Sequence, residues 1–237
     1  MEHTFDTFGK KYMSSYYVGP RARYYNLRWH SFTERTLAEA VAMLDSVRLR
    51  NVSSQRGLPP RVLDVACGTG VLLHMLSKQI PDMEGYGLDA SADMLAQARL
   101  ALANQPHIQL EQAILGNEEA SHLPYASRFF DLITCTNALH DVSNPVGVLT
   151  ELRRLLAPEG QLILEDYARH GPSVLWTLFE WLIRRIEAGE VQAYSLSEVK
   201  SLCRQAGLSV ARERAFALNW LWHGWALRLS VASSNML

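Results

Sequence analysis

Residues 61–70 set the terms for the rest of the chain. Arg61-Val62-Leu63-Asp64-Val65 is a short apolar run that stops at the turn Ala66-Cys67-Gly68-Thr69-Gly70, and helical spacing resumes at once over 72–80. A buried strand that ends in a glycine turn and feeds a helix is the opening unit of an α/β sheet. The rhythm then repeats. Gly85-Tyr86-Gly87-Leu88-Asp89 reads as the next strand, and residues 92–103 as a helix with Ser91 placed to cap it. Further strands are expected at 108–111, 129–136 and 161–164. Between the last two, Asn144-Pro145 opens a helix with proline at its first position, lined by Val148, Leu149, Leu152, Leu155 and Leu156 and stopped by Pro158-Glu159-Gly160. Such alternation implies right-handed crossovers and a parallel sheet covered on both faces.

The two ends of the chain follow different patterns. Residues 31–48 carry Leu37, Val41 and Leu44 at helical spacing, and the polar, proline-ended run 51–60 reads as a connector. Beyond the fifth strand, Ser195-Leu196-Ser197-Glu198 is a capping box. The last strands come as a pair, 208–216 and 225–231. In the second of these Trp225, Leu227, Leu229 and Val231 alternate with Ala226, Arg228 and Ser230, as in an antiparallel strand near a sheet edge.

Composition narrows the function class. With 237 residues and 48% hydrophobic content the chain can bury a full core as one domain, and a net charge of −1 gives no field that would draw it to nucleic acid or to an acidic membrane. Cys67, Cys135 and Cys203 are far apart, so neither a disulfide framework nor a zinc site is expected, and no metal is assigned. The first residues are acidic and lack the long apolar run of a secretory signal. The apolar stretch 215–227 contains Asn219 and His223 and is too short to span a bilayer, so a cytoplasmic address without stable membrane insertion is expected.

Gly68 and Gly70 allow the backbone to approach a ligand, although a tight connector would use them too. A dinucleotide site needs a third glycine, and that position is Leu73; a phosphate-cradling loop needs a Gly-Lys-Ser/Thr that does not follow. Asp89 ends the neighbouring strand at the same sheet edge, where its carboxylate can accept two hydrogen bonds from a ribose diol. A helix cap is the plainer alternative.

With these residues in view, residues 62–70 resemble the first motif of class I S-adenosylmethionine-dependent methyltransferases, with Ala66 where the family often has a glycine. Residues 87–95 resemble its second motif. Glu119-Ala120-Ser121-His122-Leu123-Pro124-Tyr125 resembles its acidic-Ala-x-x-Leu-Pro-aromatic loop, with Glu119 for the commoner aspartate. Phe130-Asp131-Leu132-Ile133, Asn137-Ala138-Leu139-His140 and Leu155-Leu156-Ala157-Pro158-Glu159-Gly160 resemble its fourth strand, the turn after it and the turn into the fifth strand. The likeness is good over 61–166 and loose elsewhere; its nearest general kin are methyltransferases of ubiquinone and menaquinone biosynthesis. It implies a doubly wound, mostly parallel, seven-stranded Rossmann-like sheet with an antiparallel last strand. A single domain, 1–237, would comprise an N-terminal helical cap and connector (1–60), a cofactor-binding core (61–166) and substrate-side helices and last strands (167–237).

The resemblance also implies roles. Backbone at Ala66, Gly68 and Gly70 would surround the methionine part of S-adenosylmethionine, and Asp64 would order the turn and meet the amino end. Asp89 would hold the ribose and Ala90 the adenine face. Glu119 and the Ala120 amide would meet the adenine, and a carbonyl near Asn137 the ammonium group. His140 and Asp141 fall close to the expected methyl position, His140 as a base or as an orienter of the acceptor, with simple packing as the other reading. Tyr25, in the tyrosine-rich stretch 16–26, can cover the cofactor, offer a hydroxyl to the acceptor, or pack. Asn137-Ala138-Leu139-His140 lacks the Asn-Pro-Pro-aromatic signature of nucleic-acid base methylation, which leaves a small or lipid-like acceptor. The apolar segment 171–187 and the tyrosine-rich start are expected to close over that acceptor. A protein that binds the cofactor without transfer and acts as a partner or regulator is the competing reading, and a homodimer is left open.

Overall fold

The computed structural model describes residues 17–114, 122–169, 192–219 and 222–232. Its centre is β1 (Arg61–Val65), which pairs in parallel with β2 (Glu84–Asp89) on one side and with β4 (Phe130–Thr136) on the other. β3 (Ile108–Gln112) extends the sheet beyond β2, and β5 (Leu156–Ala168) extends it beyond β4. β6 (Leu208–Ala217) and β7 (His223–Val231) form a hairpin whose second strand inserts next to β5, giving the order β3-β2-β1-β4-β5-β7-β6. β7 alone runs against the rest, since it is antiparallel to both β5 and β6. The expected seven-stranded, mostly parallel sheet with an antiparallel last strand is what forms. The hairpin places β6, not β7, at the edge; β7 is flanked on both sides, and Trp225 is fully buried with its indole N–H donating to the Tyr194 carbonyl at 3.0 Å.

Helices cover the two faces according to side-chain parity. Val62, Leu132, Ile163 and Ala226 face one side. There they meet Leu37, Ala40 and Met43 at the end of α2 (Tyr25–Ala42), after the single turn α1 (Pro20–Arg23), and Leu72, Leu73 and Leu76 of α4 (Val71–Gln79). Leu63, Ile133, Leu162 and Trp225 face the other side. They meet Val148, Leu149, Leu152 and Leu155 of α6 (Pro145–Leu155) and Val199 and Cys203 of α7 (Leu196–Gln205). Strands buried on both faces read as continuous apolar runs, which is why the central strands show no alternation in sequence. The expected caps are present. Ser91 accepts from Met94 N ahead of α5 (Ala92–Ala101), Asn144 accepts from Gly147 N, and Ser195 with Glu198 forms the full capping box.

Two boundaries differ from the sequence reading. The helix expected over 31–48 is two helices, because the chain turns at Met43–Asp45 and Asp45 accepts from Arg48 N to start α3 (Ser46–Arg56). The run read as a connector from residue 51 is therefore helical to Arg56 and ends at Gly57 in a left-handed C-cap, φ 67°. Its polar face has a purpose that periodicity does not reveal. Arg56 donates through both terminal nitrogens, at 2.8 and 2.6 Å, to Asp131 of β4, which is 1% exposed and also accepts from Arg61 N. The α6 boundary shifts too, with extended backbone beginning at Leu156, before the Pro158-Glu159-Gly160 turn.

Removing one partner of a buried ion pair strands the other charge. Arg56→Ala is expected to lower stability by about 3 kcal/mol, the low end for such pairs because the Arg61 amide still serves Asp131. Urea unfolding checks this, and a change within about 0.5 kcal/mol, the scatter of ordinary surface substitutions, would mean that α3 is held by its apolar contacts alone.

Candidate active site

The turn after β1 is built from left-handed backbone. Ala66 (φ 58°), Gly68 (φ 53°) and Gly70 (φ 78°) all lie there within five residues. The chain is laced to β2 by Cys67 N donating to the Leu88 carbonyl at 2.9 Å and closes on itself through Gly70 N to the Cys67 carbonyl at 2.9 Å. The two glycines are required for different reasons. A Cβ on Gly70 would lie 2.8 Å from Leu102 Cδ1 and 3.3 Å from Ala98 Cβ, so Gly70 lets α4 approach the end of α5. A Cβ on Gly68 would make only an ordinary 3.4 Å contact with Met94 Cε, so there the requirement is the backbone angle itself. Ala66 tolerates its position at a cost of roughly 1–2 kcal/mol, the usual penalty for an L-residue with this angle.

Asp89 is at the end of β2, where expected, and it braces the turn rather than capping the helix, whose N-cap is Ser91. One carboxylate oxygen accepts from Gly68 N at 2.8 Å and the other from Ser91 N at 2.8 Å, so it ties the glycine turn to the start of α5. Each oxygen keeps a lone pair, enough for a ribose diol. Burial pushes its carboxyl above the ordinary carboxylate range, against the pull of the two amides. Ala90 follows, its carbonyl accepting from Gln112 Nε2 at 2.8 Å. Asp64 is not on the turn. It is 1% exposed inside the sheet and accepts from Thr134 Oγ1 at 2.6 Å, and burial pushes its carboxyl up to about 7, with the Thr134 bond opposing and Asp89 adding. Glu119 and Ala120 lie outside the described residues.

At the far side of the crevice, Asn137 leaves β4 in left-handed backbone, φ 49°, and the chain enters the short 3-10 turn Leu139–Asp141. His140 Nδ1 is 2.9 and 3.0 Å from the two carboxylate oxygens of Asp166, and the His140 amide donates to Asp166 at 3.0 Å. His140 Nε2 is 3.5 Å from Asp141 Oδ2, and the Tyr167 ring lies 4.6 Å from the imidazole. Burial raises the Asp141 carboxyl while His140 pulls it down; the Tyr17 hydroxyl donates to it at 3.3 Å. Asp166 is the partner the sequence reading missed. The available signal was its place as a second acid ending an otherwise apolar strand, Leu162-Ile163-Leu164-Glu165-Asp166.

The start of the described chain crosses this crevice. The Tyr17 carbonyl accepts from Ser91 Oγ, Gly19 N donates to Asp93 at 2.7 Å, and Asn26 accepts from Thr69 Oγ1 of the glycine turn at 2.6 Å. Tyr25 reaches the site through Tyr17, ring centroids 6.0 Å apart. Residues 171–187, expected to share in this cover, lie outside the described residues. Among the described residues no group of His, Cys, Asp and Glu is arranged to hold a metal ion. The residues present suit S-adenosylmethionine: left-handed backbone at Gly68, unspent acceptor capacity on Asp89, and a buried acid, Asp64, in the strand that feeds the turn.

Asp89→Ala is expected to weaken S-adenosylmethionine binding at least about tenfold, since a hydrogen bond to a charged group contributes about 1.5–3 kcal/mol. Calorimetry on the folded variant checks it, and unchanged affinity would leave Asp89 as a turn-holder only. Asp64 has a pH signature. Its folded value, about 7, lies above its ordinary 3.8, so its stabilising contribution is full below that ordinary value and is lost as pH rises through 7. Asp64→Asn, which mimics the neutral acid, should therefore be more stable than the parent at pH 8, with the gap narrowing by pH 5. Urea midpoints displaced equally at both pH values would refute this.

The family model described as a methyltransferase domain matches residues 25–213. The chain is 34% identical over 140 residues to the demethylmenaquinone methyltransferase of Symbiobacterium thermophilum, a match that spans 54% of this chain and 54% of that relative's length. It is 29% identical over 180 residues to the ubiquinone biosynthesis O-methyltransferase of Paracidovorax citrulli, covering 72% and 74%. In fold it resembles the methyltransferase solved with the Trm112 methyltransferase activator of Haloferax volcanii, with a TM-score of 0.68 at 18% identity over 96% of this chain and 97% of that one. Sheet order, glycine turn and family match agree: this chain belongs to the class I S-adenosylmethionine-dependent methyltransferases.

Proposed function

We propose that this protein transfers a methyl group from S-adenosylmethionine to a small, partly apolar, quinone-like acceptor, with His140 receiving the acceptor's proton. The observation that carries the proposal is the His140–Asp166 pair, set beside the left-handed exit of β4 at the edge that also holds the glycine turn and Asp89. The relatives named for menaquinone and ubiquinone biosynthesis support the acceptor class. No helix among the described residues is long and apolar enough to cross a membrane. Residues 1–60 would act as cap, 61–166 as cofactor core and 167–237 as acceptor side.

The bound cofactor supplies a methyl group on a sulfonium, a carbon already open to displacement. The chain's part is to align the acceptor, exclude water and manage one proton. Asp166 accepts from Nδ1–H of His140, which fixes the tautomer and leaves Nε2 as the basic atom; it also stabilises the imidazolium that forms. The acceptor's hydroxyl proton would pass to Nε2 of His140, freeing the oxygen to take the methyl group that the cofactor, held by the glycine turn and Asp89, would supply. Asp141, 3.5 Å from Nε2, and Tyr17 on Asp141 line the approach. The strap from Tyr17 to Asn26 serves as the water-excluding cover.

Release of S-adenosylhomocysteine with hydroxylated quinol acceptors tests the reading; cofactor binding with no release across such acceptors would favour a partner or regulator instead. His140→Ala should lower kcat by about 10²-fold or more while cofactor affinity stays within about twofold, and the deficit should shrink at high pH where the acceptor is already ionised. Asp166→Asn should lower kcat in the same direction. Parent-like turnover of His140→Ala near neutral pH would assign the imidazole to structure.

A further inference from the structure

Glu165, next to Asp166 on β5 but facing the opposite side of the sheet, is 1% exposed, and neither of its carboxyl oxygens has a hydrogen-bond partner among the described residues. Asn137 Oδ1 is likewise buried without one. The two residues are neighbours across β4 and β5, since Asn137 N donates to the Glu165 carbonyl at 2.9 Å and Thr136 is the register partner of Glu165. Three buried oxygens without a donor would each cost a desolvation penalty that folded proteins rarely leave standing.

Reversing the Asn137 amide does not remove the problem. Thr36 of α2 gives its hydroxyl proton to the Thr33 carbonyl at 3.1 Å, so its oxygen must accept, and Asn137 Nδ2 serves it at 2.9 Å. The amide oxygen is thereby committed to the other direction. One proton on Glu165 would give Asn137 Oδ1 a donor and remove the charge from the remaining carboxyl oxygen.

We infer that Glu165 is an un-ionised acid that donates its carboxyl proton to Asn137 Oδ1, closing a relay Thr33–Thr36–Asn137–Glu165 that ties α2 to the ends of β4 and β5. The charges around it agree. On its own strand Asp166 is adjacent, and from α2 comes Glu39, which is paired at 3.0 Å with Arg214 of β6. On the same sheet face stand Asp64 of β1 and, on β7, Arg228, which is paired at 3.1 Å with Asp45. Thr134 and Thr136 of β4 are uncharged. Burial, then Asp166 and Glu39, hold the Glu165 carboxyl well above the ordinary range. The relay makes Glu165 a positioning residue: it holds Asn137 in the left-handed conformation from which the chain reaches His140.

The test begins on the protein without cofactor, so it stands apart from the methyl-transfer reading. Infrared spectra at neutral pH should contain a protonated-carboxyl C=O stretch, sensitive to deuterium exchange, that Glu165→Gln removes. Gln keeps a donor toward Asn137, so Glu165→Gln should hold S-adenosylmethionine affinity within about twofold of the parent, whereas Glu165→Ala should lose at least about tenfold. Absence of the infrared difference overturns the inference. So does equal weakening by Gln and Ala, which would mean that a charged Glu165 meets a positive group of the ligand directly.

Discussion

Three left-handed residues within the stretch 66–70 are the constraint around which the molecule is organised. They turn the chain out of β1 sharply enough that α4 starts at Val71 and packs back on the sheet. Such a turn is costly in isolation. It is held from outside, by the Asp89 carboxylate on Gly68 N and by the Leu88 carbonyl on Cys67 N. The geometry of the crevice therefore belongs to the pairing of β1 with β2. Disturbance of β2 propagates to the turn even where the turn's own residues are intact.

Buried acids show how the chain separates stability from function. Asp131 is neutralised by a bidentate guanidinium and an amide, which fixes α3 against β4. Glu151 is held below the ordinary range although its own burial works against that, because Arg154, the Leu123 amide and His122 all bond to it. Along the crevice the treatment differs. Asp64 has a hydroxyl rather than a cation, and Asp166 has an imidazole. Asp64, raised by burial and without a permanent counter-charge, can change protonation when a ligand arrives, whereas an ion-paired acid cannot do so cheaply. Glu165 and Asp166 add a register condition: a one-residue slip of β5 would exchange their faces and remove the imidazole's partner while keeping the strand hydrophobic.

Much of this was legible in the sequence because it depends on local chemistry. The strand–glycine-turn–helix unit at 61–80, the caps at Ser91, Asn144 and Ser195 and the closing strand pair are each written in adjacent residues. Asp89 was legible for the same reason, since a strand end beside the first strand must project to the common edge. What escaped notice depends on partners far apart in the chain. The helix over 46–56 looked like a connector because its decisive residue, Arg56, answers to Asp131, 75 residues on. Asp166 escaped because its role is defined by His140, 26 residues away on another strand's exit, and composition alone does not separate it from Glu165. Asp64 sits in the strand that precedes the turn, and its side chain bonds Thr134 of β4 rather than a group of the turn itself.

The strap that spans the crevice has a consequence for how the molecule is made. Its anchors lie far downstream, with Gly19 waiting for Asp93, 74 residues later, and Tyr17 for Asp141, 124 residues later. The segment 17–26 is thus among the last to dock, because contacts of such separation form only after the intervening strands have paired. Until then the crevice is open on a nascent sheet whose β5 edge also awaits β7. A bound nucleoside, reaching the glycine turn once β1, β2 and α5 exist, would give the late-arriving strap a surface to settle on and would act as a template for the final fold.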